Sequence, residues 1–493
     1  MSEPVGTFCL VLHTHLPWLA HAGAWPVGEE WLHQAFTHSW LRVVRVLEEL
    51  AGEGHRDLVT LGVSPTVAAM LDDPYCLRET YTWAGFWQLR AEALAARPGL
   101  TDLATHEFRA AGRCLDDLGG RWRHGGSPVL RRLADDGVVE LLGGPAGHPF
   151  QPLLDDRVVA HALRTGLDDM RLRTGRAPEG IWAPECGYRP GLEQLYAAAG
   201  VGRFLVDGPA LRGDTSAAHP VAASDVLCFG RDLDVTYRVW SPRSGYPGGP
   251  DYRDFHTFDH ASGFRPARVT STRTPPALKK PWESDRADLA VARDAADFVG
   301  VVRRRLTALA DRDGRPGLCV AAFDTELFGH WWYEGPSWLA AVLRMLPEAG
   351  VRVTTLRGAV EAGHVGAAVE LPASSWGSGK DWRVWDGAQV TDIVRWNADV
   401  QATLLSTVDR HRAMHRSPLL DQVVREAYLM LASDWAFMVS KDSAAAYARS
   451  RIATHRERLD RLVDVLDGSA PIEVAVPVTD VDSPFRCLDA RLL

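Results

Sequence analysis

Two acidic segments of this chain, Ile181-Trp-Ala-Pro-Glu-Cys-Gly-Tyr188 and Ala322-Phe-Asp-Thr-Glu-Leu-Phe-Gly-His-Trp-Trp332, carry residue types that can cut a glycosidic bond. Each runs from an apolar stretch into a carboxylate, Glu185 or Asp324, and then into glycine and aromatics. Cleaving an acetal takes one carboxylic acid to protonate the leaving oxygen and one carboxylate to attack carbon or to activate water. Trp182 and Trp331 stand beside the acids with indole faces on which a sugar ring can lie. In Asp324-Thr-Glu326 either carboxylate could be the acid. Asp324, directly after the apolar stretch, is the better placed, and Glu326 is expected to orient it.

Several histidines belong to the same reading. His13 and His15 close the first apolar run two residues apart, so strand alternation puts both on one face. That pair suits hydrogen bonding to a sugar, zinc ligation or structural capping. A zinc site needs further ligands, the later strand ends offer no obvious third histidine, and no metal is assigned. His148 follows Gly143-Gly-Pro-Ala-Gly, where glycine lets backbone approach closely, and His330 with Trp331 would form a rim. Ser433-Asp-Trp435, on an otherwise apolar helical stretch, is either a polar group reaching back to close a cleft or a plain helix-face aspartate.

These groups need a scaffold that gathers strand ends. Seven short apolar runs rich in β-formers lie at 7–12, 58–63, 138–142, 180–183, 203–206, 318–323 and 351–355, most followed by helical periodicity. Strands alternating with helices predict a parallel sheet, and seven units predict a barrel with its chemistry at the carboxyl ends of the strands. The expected organisation is a catalytic barrel in two parts, 1–72 and 138–390, interrupted by a helical insertion at 73–137 and followed by a helical domain at 391–493. The stretch 208–283, rich in Pro, Gly, Asp and Arg, reads as long irregular chain, with 226–260 as an active-site lid.

Composition bounds the partners. The net charge of −9 argues against a polyanion such as nucleic acid, and no apolar stretch is long enough to span a membrane. Only Lys279, Lys280, Lys380 and Lys441 are lysines, which reads as a genomic bias toward arginine. Seven scattered cysteines with no C-x-x-C pair fit a reducing cytoplasm, and the N-terminus has no signal-peptide pattern. Eighteen tryptophans are the outlier, some core and some available for sugar stacking.

In order along the chain, His13-Thr-His-Leu-Pro17, the glycine-rich segment ending at His148, Trp182-Ala-Pro-Glu-Cys-Gly-Tyr188, Phe323-Asp-Thr-Glu-Leu-Phe-Gly-His-Trp-Trp332 and Ala432-Ser-Asp-Trp435 resemble the five motifs of glycoside hydrolase family 57, and within it the 1,4-α-glucan branching enzymes. The resemblance spans essentially the whole chain. It implies an incomplete (β/α)7 barrel of α/β class with a helical insertion and a C-terminal helical domain. It implies Glu185 as nucleophile and Asp324 as acid/base of a retaining reaction, with no cofactor, on α-1,4-glucan such as amylose or glycogen. His13, His15, Trp31, His148 and Asp434 would line the donor subsites, with Trp182, His330, Trp331 and Trp435 also facing substrate, and Trp376 would belong to a tryptophan loop of the branching enzymes. A lid tyrosine would shield the intermediate from water, Tyr237 first and Tyr246 second. One departure stands in the second motif, where Gly147 precedes His148 in place of the usual Thr. An α-amylase or 4-α-glucanotransferase on the same scaffold is the alternative, and a zinc-dependent hydrolase or deacetylase a remote one.

Overall fold

A computed structural model describes residues 4–24, 27–241, 243–412 and 415–493. Its centre is β1 (Gly6–Thr14), whose nine residues are all buried. An apolar strand covered on both faces is what a parallel sheet under helices requires. Along one edge β1 pairs in parallel with β2 (Val59–Val63), which pairs with β3 (Val139–Leu142). From β3 the ring continues through single parallel bridges, Gly143 to Ile181 and Gly180 to Arg203, into β4 (Arg203–Asp207). The short β5 (His219–Pro220) pairs antiparallel with β6 (Leu227–Arg231), and β6 pairs in parallel with β4.

The other edge of β1 pairs over its length with β7 (Gly317–Asp324), a register that sets His13 beside Asp324. Between β6 and β7 there is no ladder. The Asp232 amide donates to the Val320 carbonyl at 2.8 Å, and the barrel is left incomplete there. β8 (Val351–Val353) pairs only with Gly6–Phe8 of β1, on the stretch of edge that β2 leaves free.

Two strand expectations change. The 351–355 run is not a full member of the ring, because only three of its residues find a partner. Residues 227–231, expected inside an irregular stretch, form a barrel strand, so the segment 226–260 begins in the core and only its later part stands over the mouth. The 180–183 run is strand-like for one bridge before Pro184 turns the chain away.

Helices Pro74–Leu94 and Thr101–Gly119 pack side by side, and the Trp87 indole donates to Glu107 across them at 2.8 Å. The first starts at Pro74, with the Asp73 side chain accepting from the amides of Tyr75 and Cys76, an N-cap followed by proline. Helices Thr391–His411, Pro418–Met430, Ser433–Ser440 and Ala445–Leu466 form the C-terminal part. It docks on the barrel where Ala432 bridges Pro149 and the Ser433 amide donates to the His148 carbonyl at 3.0 Å. Among the described residues no helix is long and apolar enough to cross a membrane.

Candidate active site

Glu185 stands just beyond the strand-like turn at 180–183, with φ 62° and ψ 18°, and Cys186 follows at φ 50°. Two successive non-glycine residues in the left-handed region cost on the order of 1–3 kcal/mol each and persist only where surroundings enforce them. Here the enforcement comes from Trp376, whose amide donates to the Glu185 carbonyl at 2.9 Å while its indole donates to Oε2 at 2.7 Å. The other carboxylate oxygen accepts from the Ser433 hydroxyl at 2.8 Å. Burial pushes the Glu185 carboxyl up to about 7, against the two donors that favour its anion, and the Asp434 charge adds to the rise.

Asp324 ends β7 with its side chain at the mouth. No side chain among the described residues donates a hydrogen bond to it. Burial, and next the charge of Glu185, raise its carboxyl to about 7, with Arg231 and His15 pulling the other way. Two acids of similar proton affinity are thus distinguished by their donors. Glu185 carries two hydrogen bonds that favour its anion, and Asp324 carries none from a side chain among the described residues.

The turn after Asp324 is pinned from one side by an unusual element, the π-helix Ala35–Trp40. Its Ser39 hydroxyl donates to the Thr325 carbonyl at 2.7 Å, and its Trp40 indole donates to Glu326 at 2.6 Å. Gly329, at φ 109°, lies so close that a Cβ there would sit 1.9 Å from the His38 carbonyl oxygen. Glu326 is 2% exposed, and burial holds its carboxyl well above the usual range. It accepts from Trp40 and so ties the turn after Asp324 to the π-helix.

The histidines meet. His15 Nδ1 lies 2.8 Å from the Ser64 hydroxyl and its Nε2 3.0 Å from Asp434. His13 Nε2 lies 3.0 Å from His148 Nε2, and His148 Nδ1 lies 3.0 Å from the Ser433 hydroxyl. His13 stacks on Trp182 at 4.4 Å, and His15 on His148 at 3.5 Å. Burial holds His13 and His148 well below the usual histidine range, so both are neutral. His15, His148 and Asp434 are close enough to hold a cation, but their facing atoms are engaged with one another and with His13.

All of this opens into a cavity of about 1230 Å³. Of the residues singled out in the sequence, Glu185, Asp324, His13, His15, Trp31, His148, Tyr237, His330, Trp331, Trp376 and Asp434 line it. Trp182, Tyr246 and Trp435 do not. Trp182 is 1% exposed beneath His13, and Trp435 is equally buried, its indole donating to the Leu429 carbonyl. Tyr246 is packed on Trp332 and Trp338 with its hydroxyl donating to Asp297, whereas Tyr237, on the helix Leu233–Val239, is 41% exposed at the cavity. Lys380, paired with Asp207 at 2.6 Å, stands 5.7 Å over the Tyr237 ring.

More of the cavity wall comes from residues not singled out individually in the sequence, although 253–258 fall within the expected lid. His38, Trp83, Trp87 and Arg90 come from the π-helix and the insertion, and Arg253, Phe255, Phe258 and Arg265 from the loop after residue 250. Glu107 pairs with Arg253 and Arg97 with Asp259 at 3.0 Å, which ties that loop to the insertion helices. The signal available was Trp83 and Trp87 four apart, hence on one helix face.

Residues 9–242 match the model of glycosyl hydrolase family 57, and residues 398–492 that of the 1,4-alpha-glucan branching enzyme C-terminal domain. A Mycobacterium tuberculosis protein named a probable 1,4-alpha-glucan branching enzyme is 53% identical over 520 residues, covering 100% of this chain and 99% of that protein. The crystal structure of a GH57-type branching enzyme from Pyrococcus horikoshii superposes with a TM-score of 0.94 at 28% identity, covering 99% of this chain and 96% of that one. A GH57 branching enzyme from Thermococcus kodakaraensis, solved with glucose, gives the same TM-score at 27% identity, with 99% and 96% covered.

Proposed function

From the premise that the chain belongs to glycosyl hydrolase family 57, as one of its 1,4-alpha-glucan branching enzymes, we propose how its residues divide the work. Glu185 is the nucleophile and Asp324 the general acid and base. The observation that carries this is the unequal solvation of two neighbouring acids, two donors on Glu185 and none on Asp324.

Asp324 gives its proton to the oxygen of an α-1,4 bond while a Glu185 oxygen attacks the anomeric carbon. The cut chain leaves as an alcohol, and the retained glucan is held as an ester on Glu185. Asp324, now a carboxylate, takes the proton of an incoming 6-hydroxyl as that oxygen displaces Glu185, which closes an α-1,6 branch with retention. The carboxyls of a retaining pair lie about 5–5.5 Å apart. His15 and Asp434 face the sugar at the cleavage point, and the faces of Trp31, Trp331 and Trp376 support its neighbours.

Transfer to sugar in place of water depends on closing the site around a bound acceptor. Tyr237 and Trp240, from the segment after β6, stand at the cavity, with Trp240 stacked 5.8 Å from Trp331. We assign them the water-excluding role, with Tyr237 over the intermediate. Incubation with amylose tests the whole reading. Rising α-1,6 linkages with little free reducing sugar is the expected result, and abundant maltose without branches would overturn it.

A further inference from the structure

We propose that Ser433 is a positioning residue for Glu185, oriented by His148 and His13 so that its single hydroxyl proton always faces the carboxylate. The proposal rests on Glu185 being the nucleophile.

The hydroxyl of Ser433 has two partners, Glu185 Oε1 at 2.8 Å and His148 Nδ1 at 3.0 Å. It has one proton to give. In the ionised form that a nucleophile requires, Glu185 can only accept, so the Ser433 proton goes to Glu185 and the Ser433 oxygen accepts from His148 Nδ1–H. With Nδ1 protonated, a neutral His148 has a bare Nε2. Its neighbour at 3.0 Å is His13 Nε2, which therefore carries the proton. His13, neutral in turn, has a bare Nδ1, and that atom is buried without a partner. Every group in the line has one permitted proton position, and every N–H or O–H points toward Glu185.

The line is also held mechanically. The Ser433 amide donates to the His148 carbonyl at 3.0 Å, so the two residues are joined by backbone as well as side chain. The Trp182 ring lies under His13 at an interplanar angle of 9°. Both histidines stay neutral because burial and the neighbouring imidazoles hold them well below their usual range. The charged or titratable groups around the carboxylate pair are Asp434 on the helix of Ser433, Asp324 on β7 with Glu326 in the turn after it, Arg231 on β6, His15 on β1, and Cys186 alongside with Asp207 and Lys380 beyond it. None of them donates to Glu185, whose side chain takes its hydrogen bonds from Ser433 and Trp376 alone among the described residues. The line thus helps decide which of two acids gives up its proton.

The test uses the full chain and an activated maltooligosyl fluoride, with kcat/KM followed against pH. Ser433→Ala should move the acidic limb up by roughly one unit, the effect of losing one hydrogen bond to a charged group. It should also lower kcat at neutral pH by about tenfold, whereas Ser433→Thr keeps the native limb. His148→Ala should move the limb as Ser433→Ala does. His148→Asn should restore it, because the amide N–H replaces Nδ1–H and asparagine tolerates the φ of 50° found there. An unmoved limb in Ser433→Ala, a Ser433→Thr limb displaced as far, or a His148→Asn limb displaced like that of His148→Ala would each overturn the proposal. If His148→Ala does not fold, the serine pair alone decides, since it removes or restores a single oxygen. Mass spectrometry of the native enzyme trapped with a fluoroglucosyl donor separates the two readings. A label on Glu185 with an unmoved limb overturns this inference only, and a label on another carboxylate overturns the assignment of the nucleophile.

Discussion

Among the described residues two clusters combine histidine with carboxylate, and they do opposite things. His15, His148 and Asp434 meet at the barrel mouth, and Glu426, His455 and Asp482 meet among the C-terminal helices, each set with its ligand atoms within 4.8 Å of one another. Around the first lies a cavity, and its neighbouring hydrogen bonds end on the Glu185 carboxylate. The second is sealed, with all three side chains fully buried. His455 Nδ1 lies 2.8 Å from Glu426, its Nε2 accepts from Arg451, Arg458 pairs with Asp482, and Gln422 donates to Glu426. Arg451 also donates to the Trp18 carbonyl, so this cluster ties the loop after β1 to the C-terminal helices. Residue types alone do not separate a reactive group from a staple. What separates them is whether the line of hydrogen bonds ends on a group that a substrate can reach.

Substitution should expose the difference, most strongly at the nucleophile. Glu185→Gln should cost roughly 10⁴-fold or more in kcat, the scale seen when a catalytic group is removed, with the melting temperature held or raised. Wild-type turnover in that variant would erase the contrast. In the sealed cluster His455→Ala should do the reverse. It should cost about 1–3 kcal/mol of stability for each buried group left without its hydrogen bond, on Glu426 and Arg451, while kcat of the folded fraction is retained. Urea titration alongside initial rates reads both.

Acidity sharpens the same point. Burial raises Glu426 to about 7 from an ordinary 4.5, and Asp482 facing it to about 6 from 3.8. A buried acid with a raised pKa favours the folded state while protonated. As pH climbs from about 4.5 to 7 the unfolded chain loses its proton first, and stability falls by on the order of 3 kcal/mol from Glu426. Glu426→Gln should flatten that slope in calorimetry between pH 5 and 7.5. An unchanged slope would place the titrating group elsewhere.

Smaller effects are expected where the open cluster meets its cavity. Tyr237→Ala should raise the ratio of hydrolysis to transfer by about tenfold, worth about 1.4 kcal/mol in the partition between water and sugar, with total cleavage little changed. Chelation should leave the rate of branch formation unchanged. A lost rate restored by one divalent metal would turn His15, His148 and Asp434 into a metal centre.

The carboxylates and their strand ends were legible because buried parallel strands are short unbroken apolar runs, and each ends on its functional residue. β6 was hidden because Leu227–Arg231 is brief and sits among residues that otherwise signal turns. β8 was over-read, since its apolar alternation says nothing of how much free edge it will find. The resemblance puts Tyr237 before Tyr246, and packing shows the Tyr246 hydroxyl spent on Asp297. His13 and His148 were expected to touch sugar. Both line the cavity, and one ring nitrogen of His13 and both of His148 are engaged with each other and with Ser433, a tertiary arrangement that no local pattern encodes.

The pairing of β1 with β7 has a consequence for how the molecule is made. Gly6 pairs with Gly317, so the central strand leaves the ribosome about 300 residues before the strand that completes its long edge. At about 5–20 residues per second that is roughly 15–60 s during which a nine-residue apolar segment waits with one edge bare. Synthesis in the presence of a holdase should therefore raise the soluble yield, and slowing elongation between residues 20 and 310 should lower it.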